Sequence, residues 1–89
     1  MKQHKDPFVR QSKIYGYRSR SAFKLIEMNK KFKFITKKTN LIDLGSSPGG
    51  WSQVASKIIT EGRILAVDIN HMEKIKNVNF LKGSFSDSK

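Results

Sequence analysis

Short apolar runs divide the second half of the chain, and each has the length of a β-strand. They cover Asn40–Leu44, Arg63–Asp68 and Val78–Leu81. Because apolar residues follow one another with little polar alternation, the runs are typical of strands covered on both faces, as in a parallel sheet. A helical segment between the first two runs completes a βαβ unit, whose crossover is right-handed in nearly all proteins. The pattern predicts an α/β fold with a parallel sheet and flanking helices.

Two segments have the spacing of amphipathic helices. Residues 19–34 begin with Ser19 and Ser21 as candidate N-caps, and they place on one face Ala22, Leu25, Ile26 and Asn29. Residues 51–59 likewise place on one side Val54, Ala55, Ile58 and Ile59. The pair Glu61-Gly62 predicts the C-terminal end of this second helix. A short helical turn is predicted for Met72–Lys76, ahead of the third strand.

The chain has room for one small domain, and its charge is unevenly distributed. Of 89 residues, 18 are Lys or Arg and seven are Asp or Glu, which gives a formal net charge of +11. Twelve of the basic residues precede Thr39, whereas five of the six glycines follow it. We therefore divide the chain into a basic N-terminal arm and helix, residues 1–38, and a sheet-forming part, residues 39–89.

The basic arm is the candidate nucleic-acid surface. A charge excess of this size favours a polyanionic partner, and aromatic side chains interleaved with cations suit a phosphate backbone and unstacked bases. The candidate RNA-binding residues are Lys13, Arg18 and Arg20, which lie near Tyr15 and Tyr17. A solvated tail with a few anchoring rings is the alternative.

Composition argues against several other classes of site and partner. The chain has no cysteine, and its two histidines, His4 and His71, are far apart, so we expect no metal site. No apolar run approaches the roughly 20 residues that span a bilayer, and the N-terminus does not resemble a signal peptide. We expect a monomer without a membrane partner.

A glycine-rich loop joins the first strand to the helix after it. Residues 45–50 read Gly-Ser-Ser-Pro-Gly-Gly, and the next strand ends at Asp68. Ligands of parallel sheets bind beyond the carboxyl ends of the strands, where this carboxylate could accept both hydroxyls of a ribose. The loop fits neither the Gly-x-Gly-x-x-Gly dinucleotide pattern nor a Walker phosphate loop. An adenosyl ligand without phosphates suits it better, and this indicates S-adenosylmethionine, although a tight turn beside a strand-capping acid remains the alternative.

Two long motifs resemble those of the FtsJ/RrmJ family of ribosomal RNA 2′-O-methyltransferases. The first is Gly16–Leu25, and the second is Asp43–Ala55. The resemblance continues through Arg63–Asp68 and Phe80–Phe85 and covers nearly the whole chain from Asp6. It implies a Rossmann-like methyltransferase fold and the transfer of a methyl group from S-adenosylmethionine to a ribose 2′-hydroxyl, typically of a uridine in large-subunit ribosomal RNA. Ribosomal RNA or the large ribosomal subunit is then the expected partner. The resemblance also implies a location in the cytoplasm of a bacterium, or else in a mitochondrion or other organelle.

The resemblance also implies roles for individual residues. It matches Lys24 to the first lysine of a catalytic Lys-Asp-Lys-Glu set, and we assign Lys24 to positioning and electrostatics. Together with the loop, the expected cofactor-binding residues are Gly45, Ser47, Pro48, Gly49, Gly50, Trp51, Asp68 and Ser84. Ser84 stands where the family usually has an acid that contacts the adenine amino group.

The rest of the family's catalytic set finds no match before Lys89. We therefore expect a fragment of a longer methyltransferase that binds cofactor weakly and does not turn over, with its first strand left as an unpaired sheet edge. Two alternatives remain open: a ribose methyltransferase of tRNA or of mRNA caps, and a non-catalytic RNA-binding or ribosome-assembly factor that retains the cofactor pocket.

Overall fold

A computed structural model describes residues 16–83, which form a parallel sheet with two helices. The elements follow one another as α1 (Ser21–Phe32), β1 (Leu41–Leu44), α2 (Gly50–Ile58), β2 (Ile64–Asp68) and β3 (Asn79–Lys82). The three predicted strands and both predicted helices are thus confirmed, with bounds that shift by one or two residues.

The sheet has the order β1-β2-β3, with every pair parallel. Leu41 lies opposite Ile64, and Val67 lies between Leu44 of β1 and Leu81 of β3. This register brings the carboxyl ends of β1 and β2 to the same edge of the sheet. The glycine loop and Asp68 therefore come together, as the βαβ pattern predicts.

The core lies where the two helices meet and pack on the sheet. It consists of Ala22, Leu25, Ile35, Val54, Ala55, Ile59 and Ile64, all at most 4% exposed. Helix α1 contributes the face predicted from its spacing. Asn29 lies on that face because its side-chain oxygen accepts the Ile35 N–H at 2.7 Å and its amide nitrogen donates to the Ile35 carbonyl at 3.2 Å.

β1 forms one edge of the sheet. Within residues 16–83 it pairs with β2 alone, and its side chains Ile42 and Leu44 are 64% and 53% exposed. The expectation of an unpaired apolar edge is therefore confirmed for this part of the chain. None of the helices formed by these residues is long and apolar enough to cross a membrane.

Three local predictions are wrong. Helix α1 has Arg20, not a serine, at its N-cap and no side-chain cap hydrogen bond; the Ser19 and Ser21 hydroxyls bond to each other at 2.8 Å. Helix α2 ends at Ile58 and its C-cap, Ile59, has an extended conformation, so Gly62 is not a left-handed cap of this helix. Residues 72–76 form no helical turn; a turn at Lys76 and Asn77 leads into β3 instead.

Candidate active site

The glycine loop is held against the end of β2 by backbone hydrogen bonds. The N–H groups of Gly45 and Ser46 donate to the Val67 carbonyl at 2.8 and 3.1 Å. Gly45 and Gly49 adopt positive φ angles of 70° and 119°, which glycine reaches without the steric penalty of a side chain. The Ser47–Pro48 peptide bond is cis. The loop therefore has a defined path that brings its backbone to the edge of the sheet.

Asp68 lies next to this loop and is partly exposed. Its Oδ1 accepts the Asn70 N–H at 2.8 Å, and its Oδ2 accepts the Ser47 N–H, also at 2.8 Å. Hydrogen bonds from the Asn70 and Ser47 N–H groups lower the pKa of Asp68 below its ordinary value. Each carboxylate oxygen keeps a second lone pair. The ionised carboxylate can therefore still accept hydroxyl donors from a ligand such as a ribose.

A cavity of about 570 Å³ opens beside the loop. It is lined by the loop, the start of α1 and β1; the lining residues include Ser19, Ser21, Leu25, Asp43, Gly45, Ser46, Ser47, Pro48, Gly50 and Trp51. Asp68 does not line it. Ser47 connects the two places, because it borders the cavity and donates its N–H to Asp68. The volume is that of a small-molecule site.

Ser46 is a residue of this cavity that the sequence did not single out. It is 5% exposed, and its Oγ is the one buried side-chain polar atom among residues 16–83 without a hydrogen-bond partner. A buried hydroxyl without a partner is unfavourable, so such atoms commonly mark the place of a ligand or a water. Its position between Gly45 and Ser47 was the available signal in the sequence.

Lys24 lies outside the large cavity. It is exposed on α1 and lines a second, smaller cavity with Arg20, Ser21, Phe23 and Glu27. Ser21 borders both cavities. The Trp51 indole N–H donates to the Ser21 carbonyl at 2.9 Å and fixes the start of α1 against α2. The structure thus places Trp51 in the cavity beside the loop and Lys24 in the adjacent smaller cavity.

The three candidate RNA-binding residues have different positions. Arg18 is half-buried, and its guanidinium donates to backbone carbonyls of the loop and of residues 73–74. Arg20 is exposed at the start of α1. Lys13 lies outside the described residues, as does the candidate cofactor residue Ser84. Their assignments to RNA and to cofactor stay predictions.

Gly49 and Gly50 are glycines because neighbouring residues come close. A Cβ at Gly49 would lie 3.0 Å from the Arg18 Nη1 and 3.1 Å from the Ile75 Cδ1, and a Cβ at Gly50 would overlap the Ser19 hydroxyl.

Within residues 16–83, no three acidic or histidine side chains are grouped as a metal site would require.

Asp43 joins β1 to α2 and has a perturbed pKa. Its Oδ2 accepts the Ser52 hydroxyl at 2.7 Å. Burial raises the pKa of Asp43 above its ordinary value, and this effect exceeds the opposing effect of the Ser52 hydrogen bond; the charge of Asp68 raises it further. The folded state therefore binds a proton at Asp43 more tightly than the unfolded chain does.

We predict a pH dependence of stability that Asp43→Asn removes. Because the folded pKa of Asp43 lies above the unfolded value, its contribution to stability is greatest in acid and is lost as pH rises through the folded pKa. Urea unfolding between about pH 3 and pH 7 measures this. The difference in unfolding free energy between wild type and D43N should shift in favour of D43N as pH rises. A pH-independent difference would show that Asp43 titrates normally.

Comparison with known proteins places the chain among methyltransferases. The family model for FtsJ-like methyltransferases matches residues 17–89. Ribosomal RNA large subunit methyltransferase E of Pelagibacter ubique is 49% identical over 86 residues, which are 97% of this chain and 42% of the relative. The protein of that name from Stutzerimonas stutzeri is 52% identical over 83 residues, 92% of this chain and 40% of the relative.

A solved structure is also similar. A ribosomal RNA methyltransferase from Plasmodium falciparum superposes with a TM-score of 0.71 at 36% identity, over 81% of this chain and 41% of that one. This similarity confirms the predicted Rossmann-like methyltransferase fold. The chain spans about two-fifths of the length of the relatives it matches.

Proposed function

The chain belongs to the FtsJ-like methyltransferase family, and on this premise we propose that it forms the cofactor-binding part of an enzyme that methylates ribosomal RNA. The methyl donor is S-adenosylmethionine, and the acceptor is a ribose 2′-hydroxyl, of a uridine, in the large ribosomal subunit. Residues 39–89 bind the cofactor, and residues 1–38 face the RNA.

The observation that carries the proposal is the placement of Asp68 beside the glycine loop. Its carboxylate is held by the Ser47 and Asn70 N–H groups and keeps free lone pairs, as a ribose-binding acid requires. Across Ser47, Ser46 lines a cavity bordered by the same loop, and its buried hydroxyl has no hydrogen-bond partner among residues 16–83. These donors and acceptors fit a nucleoside that carries a polar tail.

The chain's own residues would hold and orient the reacting groups. The cofactor supplies an electrophilic methyl group on a sulfonium. The loop residues Gly45–Gly50 and Trp51 would bind one part of it, and Asp68 would hold the sugar. Lys24 lies on the neighbouring part of α1, where a cation would position the RNA ribose and stabilise negative charge that develops on its 2′-oxygen. The proton acceptor lies outside residues 16–83.

Titration calorimetry with the 89-residue chain tests the cofactor assignment. We expect saturable binding of S-adenosylmethionine and none of NAD or ATP, because the loop lacks both phosphate-binding patterns. A folded chain that does not bind S-adenosylmethionine would contradict the proposal. Since the chain matches about two-fifths of its relatives, we expect no methyl transfer to unmodified ribosomal RNA by this segment alone.

We predict that Arg20 contributes to RNA binding through a phosphate. The logarithm of the RNA association constant should fall with the logarithm of salt concentration by about 0.7 per phosphate neutralised on a single strand. Arg20→Gln should therefore reduce the slope by about 0.7. Arg63→Gln is the matched control, because it removes the same charge from an exposed position at the opposite end of β2. Equal slopes for the two variants would exclude a phosphate contact at Arg20.

A further inference from the structure

We propose that Arg18 is a positioning residue that holds the cofactor-binding loop in place, and that its principal role is not to contact RNA. The inference rests on the proposed function and deepens it, since it concerns the same site. Its basis is a set of hydrogen bonds that the guanidinium makes to two separate backbone segments.

The guanidinium of Arg18 binds three carbonyl oxygens. Its Nη1 donates to the Pro48 carbonyl at 3.1 Å and to the Glu73 carbonyl at 2.6 Å, and its Nη2 donates to the Lys74 carbonyl at 3.0 Å. Pro48 belongs to the glycine loop, whereas Glu73 and Lys74 belong to the segment between β2 and β3. One side chain therefore ties together the segments that follow β1 and β2.

The backbone of Arg18 is fixed independently of its side chain. Its N–H donates to the Gln53 Oε1 at 2.7 Å, and the Gln53 side-chain amide donates to the Gly16 carbonyl at 3.1 Å. Gln53 lies on α2, which the core holds against the sheet. The Arg18 backbone is thus anchored to α2, and its guanidinium holds the loop in a fixed position relative to this helix.

Arginine is suited to this role, and lysine is not. Three carbonyl dipoles that point at one place repel one another unless a cation lies between them, and a planar guanidinium offers five N–H donors in a fixed fork. A lysine ammonium could reach one or two of these oxygens. The missing Cβ of Gly49 makes room for the arrangement, because a Cβ there would lie 3.0 Å from the Arg18 Nη1.

The consequence concerns the ligand held at Asp68. The Ser47 hydroxyl donates to the His71 carbonyl at 3.1 Å, and the Ser47 N–H donates to Asp68. Ser47 therefore links the glycine loop both to this carboxylate and to the segment between β2 and β3. Without Arg18, the Ser47 contacts would remain, but the Pro48–Gly49 end of the loop would lose its attachment to Glu73 and Lys74. The loop would then have to be ordered by the ligand, and affinity would fall.

The test compares Arg18→Gln and Arg18→Lys with Arg63→Gln in the 89-residue chain. We expect R18Q to weaken S-adenosylmethionine binding by about tenfold or more in calorimetry, R18K to weaken it by less, and R63Q to leave it unchanged. Hydrogen exchange should become faster in R18Q within residues 45–50 and 72–77 but not within β2. The salt dependence of RNA binding should be the same for R18Q and R63Q.

Several outcomes would overturn the inference. One is that R18Q changes neither the affinity for S-adenosylmethionine nor the rate of hydrogen exchange. Another is that R18Q retains cofactor affinity but reduces the salt dependence of RNA binding, whereas R63Q does not reduce it. Faster exchange throughout β2 in both R18Q and R18K would give Arg18 a role in the whole fold instead. If the wild-type chain does not bind S-adenosylmethionine, the proposed function fails, and exchange in the two segments still decides the role of Arg18.

Discussion

Replacement of Asp68 by alanine is expected to abolish measurable binding of S-adenosylmethionine and to leave RNA affinity nearly unchanged. The carboxylate has two functions that alanine cannot perform. In the proposed site it would offer free lone pairs to the ligand's hydroxyls. It also accepts the N–H groups of Ser47 and Asn70, which lie in the segments that follow β1 and β2. The loss therefore combines missing ligand contacts with a less ordered loop, and we expect affinity to fall by about 100-fold or more.

Two variants make this measurement decisive. Asp68→Asn keeps one acceptor oxygen but turns an amide donor toward an N–H group, so it should bind almost as weakly as D68A. Glu61→Gln removes an equal charge from an exposed residue that is paired with Lys37, away from the loop, and should bind as wild type does. Calorimetry gives the cofactor affinities, and circular dichroism verifies the fold. Retained affinity in a folded D68A would mean that another group holds the sugar. A joint loss of cofactor and RNA binding would mean that the sheet has unfolded.

The strands and the loop could be predicted from the sequence because each depends on neighbouring residues. A short apolar run such as Ile64–Val67 is typical of a strand whose two faces are buried. The parallel direction of β1 and β2 follows from the helix that connects them. Asp68 could be placed beside the loop for the same reason, since carboxyl ends of adjacent parallel strands share an edge. The position of the candidate site in the fold could therefore be predicted from the sequence.

The features that the sequence did not reveal depend on contacts between distant residues. Arg18 resembles any other cation of a basic segment, and only the fold shows that its partners are Pro48, Glu73 and Lys74. The burial of Ser46 likewise follows from the packing around the loop. A helix cap at Ser19 or Ser21 was locally plausible, yet the two hydroxyls bond to each other. Local patterns cannot rank such competing partners.

Gly62 is structurally important, but for a different reason from the one that the sequence suggested. Its place after α2 predicted a left-handed helix cap, but its φ angle is not in the positive region. The Lys37 carbonyl accepts the N–H groups of three successive residues, Thr60, Glu61 and Gly62, at 3.1, 2.7 and 3.1 Å. This arrangement presses Gly62 against the backbone of Thr39, where a Cβ would overlap the carbonyl oxygen. The glycine is required by close approach of two backbones.

Gly62→Ala should therefore destabilise the fold by about 3 kcal/mol or more, because neither backbone can withdraw without breaking the hydrogen bonds to Lys37. Gly45→Ala is the matched control: its φ of 70° imposes a strain of about 1–2 kcal/mol, but nothing lies within 4 Å of the added methyl group. The free energy of unfolding in urea measures both variants. If G62A proves as stable as G45A or more so, the contact with Thr39 relaxes easily and does not fix the connection between α2 and β2.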